Sequence, residues 1–303
     1  MRNRFTGAMV SAAIAAAAAV FSLTVMPIAG QAPAAQGQRG RGAAPAQPAA
    51  PAPAPAATAK PGARLDRIGK APNVNGIYQA INSANWNLED HPAQGLTQFW
   101  QLGAIAAVPA GMSVVDGGSI PYKPEALKQR EANRKGWPKT DPEAKCYMGG
   151  IPRSNYMPYP FQIVQGNKDI LFVYEYASSN RIVHMDKKSE SPVDSWMGWA
   201  NGTWKGDTLV IRNDGFNEHS WFDRSGNFHG NQLVVDEQFT PKGNQVAYLE
   251  YVATMTDPET FTKPWTIRMN LYRKFEPNVQ LLEFKCVEFS EELLYGDLKK
   301  KTE

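Results

Sequence analysis

The chain has 303 residues, 43% hydrophobic, enough apolar content for a sizeable core. Its 32 basic residues against 29 acidic ones give a formal net charge of +3. Removing the two arginines of residues 1–32 leaves 30 against 29, which excludes a nucleic-acid partner held by bulk charge.

The elements follow in chain order. Met1-Arg2-Asn3-Arg4 is basic, residues 8–28 are apolar and rich in alanine, and Gly30-Gln31-Ala32 offers small residues where a signal peptidase cuts. This pattern predicts a signal peptide over 1–32 and a periplasmic or secreted protein. The alternative is an uncleaved anchor, because the apolar run approaches the ~20 residues needed to span a membrane. Membrane contact is expected only through such an anchor. Residues 33–64 are Ala, Pro, Gly and Gln in the main, and the Pro-Ala alternation from Pro51 to Pro55 favours extended polyproline II. They read as a disordered tether.

One β-rich domain is expected over 65–303, with a helical and irregular extension at 65–145 and an antiparallel β core at 146–296. In the extension, Gly76–Ala80 reads as a short strand and Leu96–Val108 as a buried helix. Pro124 opens a second helix at its first position, running through good helix formers to about Gly136.

The two cysteines are Cys146 and Cys286. In an exported chain an even count favours a disulfide, with two buried thiols as the alternative. After Cys146, the stretch Pro152-Arg153-Ser154-Asn155-Tyr156-Met157-Pro158-Tyr159-Pro160 is stiffened by proline. It either offers Arg153, Tyr156 and Tyr159 to an oxygen-bearing ligand at a barrel mouth or is a connector packed by its aromatics.

From Phe161 the chain reads as strands: Phe161–Gln165, Ile170–Tyr176, Arg181–Met185, Met197–Trp204, Thr208–Arg212, Glu218–Asp223, Phe228–Thr240, Val246–Thr256, Trp265–Tyr272 and Leu281–Cys286. Turn formers separate them. The expected class is mainly β, an antiparallel barrel or sandwich. A Glu175–Arg181 cross-strand ion pair is expected, and His91 and His184 read as structural or exposed.

The candidate site lies in the hairpin around Arg224-Ser225-Gly226. A three-residue loop with glycine last would set Asp223 opposite Asn227, Trp221 opposite His229 and His219 opposite Asn231. Period-two alternation then puts His219, Trp221, Asp223, Asn227, His229 and Asn231 on one face, continued by Leu233, Val235, Glu237 and Phe239. Three readings remain open. The polar tip is structural; or His229 acts as general base oriented by Asp223, with His219 nearby; or His219, Asp223 and His229 hold a metal. Trp221, Asn231 and Glu237 would line the ligand pocket. A four-residue loop would dissolve the arrangement. There is no Gly-x-Ser-x-Gly elbow, phosphate loop, dinucleotide fingerprint, His-Glu-x-x-His or Cys-x-x-Cys, and no cofactor is expected.

The run Trp199…Trp204-Lys205-Gly206-Asp207-Thr208-Leu209-Val210, then Gly215-Phe216-Asn217, Trp221, Asp223, Gly226, His229 and Thr262-Lys263-Pro264-Trp265, resembles a family of exported bacterial β-rich proteins common in soil acidobacteria. The likeness covers most of residues 72–296 and implies export but no particular activity. Lipocalins share only the general barrel idea, since Gly202-Thr203-Trp204 sits mid-chain. The expectation is an exported barrel with an interior pocket for a small apolar or amphipathic molecule. It is either a cofactor-free acid–base enzyme (hydrolase, lyase or isomerase) or a non-catalytic binding or envelope-interaction protein.

Overall fold

The computed structural model describes residues 65–96, 107–166, 168–186, 188–288 and 290, all within one compact unit, Thr58–Glu303. The expected signal peptide and tether lie outside these residues. Two short ladders flank the main structure: β1 (Arg67–Ile68) with β2 (Ala71–Pro72), and β4 (Gln94–Gly95) with β5 (Ala107–Val108).

The other strands are β3 (Gly76–Ala80), β6 (Phe161–Gln165), β7 (Asp169–Tyr174), β8 (Asn180–Met185), β9 (Trp199–Lys205), β10 (Thr208–Asp214), β11 (Val234–Lys242), β12 (Tyr248–Thr256) and β13 (Trp265–Arg273). They close into one barrel in the order β10-β11-β12-β13-β3-β6-β7-β8-β9. Neighbours are antiparallel except β8 and β9, which run parallel. The protein is therefore mainly β, and of barrel and sandwich it is the barrel.

Alternation explains the core. In β11 Val235, Glu237 and Phe239 are fully buried while Gln238 faces outward. Register aligns Glu237 with Ile211 of β10 and Ala253 of β12, and Ala253 with Ile267 of β13, so one inward layer carries a single acid among apolar side chains. The β9–β10 hairpin turns in two residues, with Gly206 at φ 61° in its first central position.

α1 (Pro124–Gly136) forms where expected, with proline in its first turn. The expected helix over 96–108 falls mostly at 97–106, outside the described residues, and its last two residues, Ala107 and Val108, are strand. Leu281–Cys286 is not a strand, because a closed barrel offers no free edge for it to join. The Cys146–Cys286 disulfide holds it instead, with Cα atoms 5.7 Å apart. The expected strand from Phe228 begins only at Val234, and Glu218–Asp223 keeps a single bridge, Trp221 to Phe228. Among the described residues no helix is long and apolar enough to cross a membrane.

Residues 151–157 are buried, with a short 3-10 turn at Arg153–Asn155. They stop the barrel like a plug. Asn155 donates to Glu237 Oε1 at 2.9 Å and accepts from the Tyr174 hydroxyl at 2.9 Å.

Candidate functional site

The bend after Phe222 has a different register from the expected one. Phe222 N–H donates to Asn227 O at 2.6 Å and Trp221 bridges Phe228, so four residues close the bend, Asp223 to Gly226. Asp223 causes this. Its Oδ1 accepts from the N–H groups of Ser225 (2.9 Å) and Asn227 (3.3 Å), and its Oδ2 accepts from Leu88 N–H (2.9 Å) and Asn227 Nδ2 (2.6 Å). The carboxylate is part of the turn itself. Burial pushes it up to about 6, against the opposing pull of these bonds. Gly226 does adopt positive φ (82°), and α1 packs on it so closely that a side chain there would meet Arg134 N at 2.7 Å.

The one-residue shift separates the expected constellation. His219 is exposed, its ring 5.8 Å from that of Trp196. Asn231 is exposed, and Trp221 is buried. His229 is buried between Phe216 and Phe222, with Nε2 2.8 Å from Ser220 Oγ and Nδ1 2.8 Å from Gly230 O. A carbonyl only accepts, so Nδ1 carries the proton and Nε2 accepts from the serine hydroxyl. Burial pushes the imidazole below its ordinary value, outweighing the Gly230 carbonyl. His219, Asp223 and His229 thus do not converge: the hydrogen bonds of Asp223 and His229 go to other groups. Among the described residues no group of three His, Cys, Asp or Glu side chains is placed to hold a metal ion.

Glu237 lies inside the barrel. Arg181 Nη1 and Asn213 Nδ2 donate to its Oε2 at 2.5 Å each, and Tyr251 OH donates to its Oε1 at 2.8 Å. Arg181 thus turns inward to Glu237, not outward to Glu175, which accepts from Leu282 N–H. Tyr156 is buried, its hydroxyl donating to Phe222 O at 2.8 Å. Tyr159 packs against Tyr176 and Phe284, with ring centroids 5.5 and 5.2 Å away.

Arg153 is also buried, and it connects the plug to the surface. It donates to Asn85 Oδ1 (2.9 Å), Asp141 Oδ1 (3.1 Å) and Glu143 Oε2 (2.5 Å). Glu143 also takes both arms of Arg224, at 2.8 Å each, and the Arg224 guanidinium lies 4.4 Å above the Trp86 ring. Beyond it opens a cleft of about 560 Å³, lined among others by Trp86, Glu89, His91, Arg130, Arg134, Trp137 and Arg224. Trp137 and Arg224 also line a second hollow, of about 220 Å³, with Glu143, Tyr159, Tyr176 and Phe284. These lining residues come from segments far apart in the chain, and no local motif marks them.

Burial pushes the Glu143 carboxyl up, but Arg224 and Arg153 outweigh it and hold it at about 2, below the usual 4.5. A depressed carboxylate stabilises the fold above its unfolded value and loses that contribution as pH falls towards its folded one. The contribution of Glu143, about 3 kcal/mol, should therefore vanish between pH 4.5 and 2. Glu143→Gln should lower stability at neutral pH and flatten this acid limb in urea titrations. An acid limb as steep as that of the parent would refute the assignment.

Comparison of the chain with protein-family models, with curated proteins and with solved structures finds no match.

Proposed function

We propose that this is an exported small-ligand-binding protein whose site is the cleft between α1 and the Trp86–Leu96 segment. One observation carries the reading. Two indoles and several hydrogen-bonding side chains converge on a hollow of a size typical for small-molecule sites. The barrel interior is a poorer candidate, because Glu237, Arg181, Phe172, Phe239 and Tyr251 pack against one another there. Saturation-transfer NMR with a library of small polar and aromatic molecules tests the proposal. Trp137→Ala should weaken the hits about tenfold, as expected for an aromatic anchor. Hits indifferent to that change would move the site elsewhere.

A second reading rests on the Ser220–His229 pair. A serine hydroxyl donating to a neutral imidazole, whose other nitrogen is fixed by a carbonyl, has the arrangement of a nucleophile with its base. Both residues are buried, and Gly150 lies directly against Ser220, so this chemistry requires that cover to open. A fluorophosphonate probe should label Ser220, and His229→Ala should abolish the labelling. An unlabelled parent protein rejects the enzyme reading.

A further inference from the structure

Resting on the cleft as the binding site, we infer that its ligand is a neutral saccharide, bound as a short chain of sugar rings. The charges at the cleft balance: two of its arginines are paired, and the exposed Arg134 and Asp90, of opposite sign, also line it. Arg130 is paired with Glu89 at 2.5 Å, and Arg224 is held by both oxygens of Glu143. Without displacing these partners an anionic ligand could meet only Arg134, and a cationic one only Asp90. What an ion pair still offers at its edges is donors and acceptors side by side. Hydroxyl groups both donate and accept, so adjacent sugar hydroxyls match such edges without disturbing either pair.

The aromatic side chains supply the other half of the match. Trp86 and Trp137 have ring centroids 6.3 Å apart and planes inclined at 57°. The Arg224 guanidinium already covers one face of Trp86, so Trp137 is the better platform for the C–H face of a pyranose, which is apolar and carries a slight positive charge towards the π-cloud. Trp137 and Arg224 also border the smaller hollow, whose lining includes Tyr159 and Tyr176. Aromatic side chains spread over both hollows favour several linked rings over a single one.

The test uses tryptophan fluorescence and calorimetry on the mature protein. The neutral probes are maltohexaose, cellohexaose, laminarihexaose and xylohexaose; the charged probe is hexagalacturonate. At least one neutral probe should bind saturably, with affinity changing less than about twofold between roughly 50 and 500 mM NaCl, because no net charge is engaged. Trp137→Ala should weaken binding about tenfold. The exposed Arg134→Ala should weaken it by a smaller factor while leaving the circular dichroism unchanged, which covers the case of a misfolded Trp137 variant. Binding of hexagalacturonate alone, falling steeply with salt, would overturn the neutral class while leaving the cleft as the site. Binding of none of the five probes would also overturn the saccharide. The cleft itself falls only if the NMR screen also gives no hit sensitive to Trp137.

Discussion

Glu237→Gln should destabilise the protein by about 3–5 kcal/mol, the usual cost of leaving a buried charge without its partner. Glu237 is fully buried and receives Arg181, Asn213, Asn155 and Tyr251. An amide keeps the shape but not the charge, and its NH2 group would face donors. Arg181 would be stranded above the Phe172 ring, 4.4 Å from its centre. The double change Arg181→Met with Glu237→Met should recover much of the loss, because apolar pairs of similar volume often replace buried ion pairs at little cost. Urea denaturation of the three variants measures this. A loss below about 1 kcal/mol for Glu237→Gln would place the pair on a solvated path, where ion pairs contribute little.

Breaking the disulfide should have an effect of similar size. Cys146 and Cys286 lie 140 positions apart, so the bond closes a long loop in the unfolded chain and contributes about 4–5 kcal/mol on the loop-entropy model. Serine at both positions should lower the denaturation midpoint accordingly. It should also have a local consequence that an entropy argument alone does not give. Residues 281–287 belong to no ladder; besides the disulfide they are held by Phe284 against Tyr159 and Tyr176 and by Leu282 on Glu175. Trypsin should therefore cut after Lys285 in the variant much faster than in the parent. Equal cutting rates would show that the Phe284 and Leu282 contacts suffice to hold the segment without the disulfide.

Much of this architecture is legible in the chain. Turn formers at short intervals mark the barrel strands, Pro124 marks the start of α1, and the even cysteine count, in a chain whose first residues read as an export signal, indicates the bridge. Arg181 could have been read as well: it alternates with Val183 and Met185, so it shares their inward face, and an ion pair with the adjacent Glu175 is the less consistent choice. The bend at Asp223 could not be read from glycine alone. Gly226 has the positive φ that a three-residue loop requires, yet the Asp223 carboxylate caps the backbone and adds a residue to the turn. One residue of register was enough to part His229 from Asp223. The cleft left no signal, since Trp86, Arg130, Trp137 and Arg224 meet only through the fold.

The single parallel junction has a consequence for how this chain can vary. Up and down cannot alternate all the way around a ring with an odd number of members; somewhere two neighbours must point the same way. With nine staves, β8 and β9 are that place, and the chain has to travel the full height of the barrel between them through residues 186–198. A same-direction return needs about a dozen residues. Hairpin tips can be lengthened at little cost, but this return run is already near its minimum, and shortening it would leave the ring unable to shut.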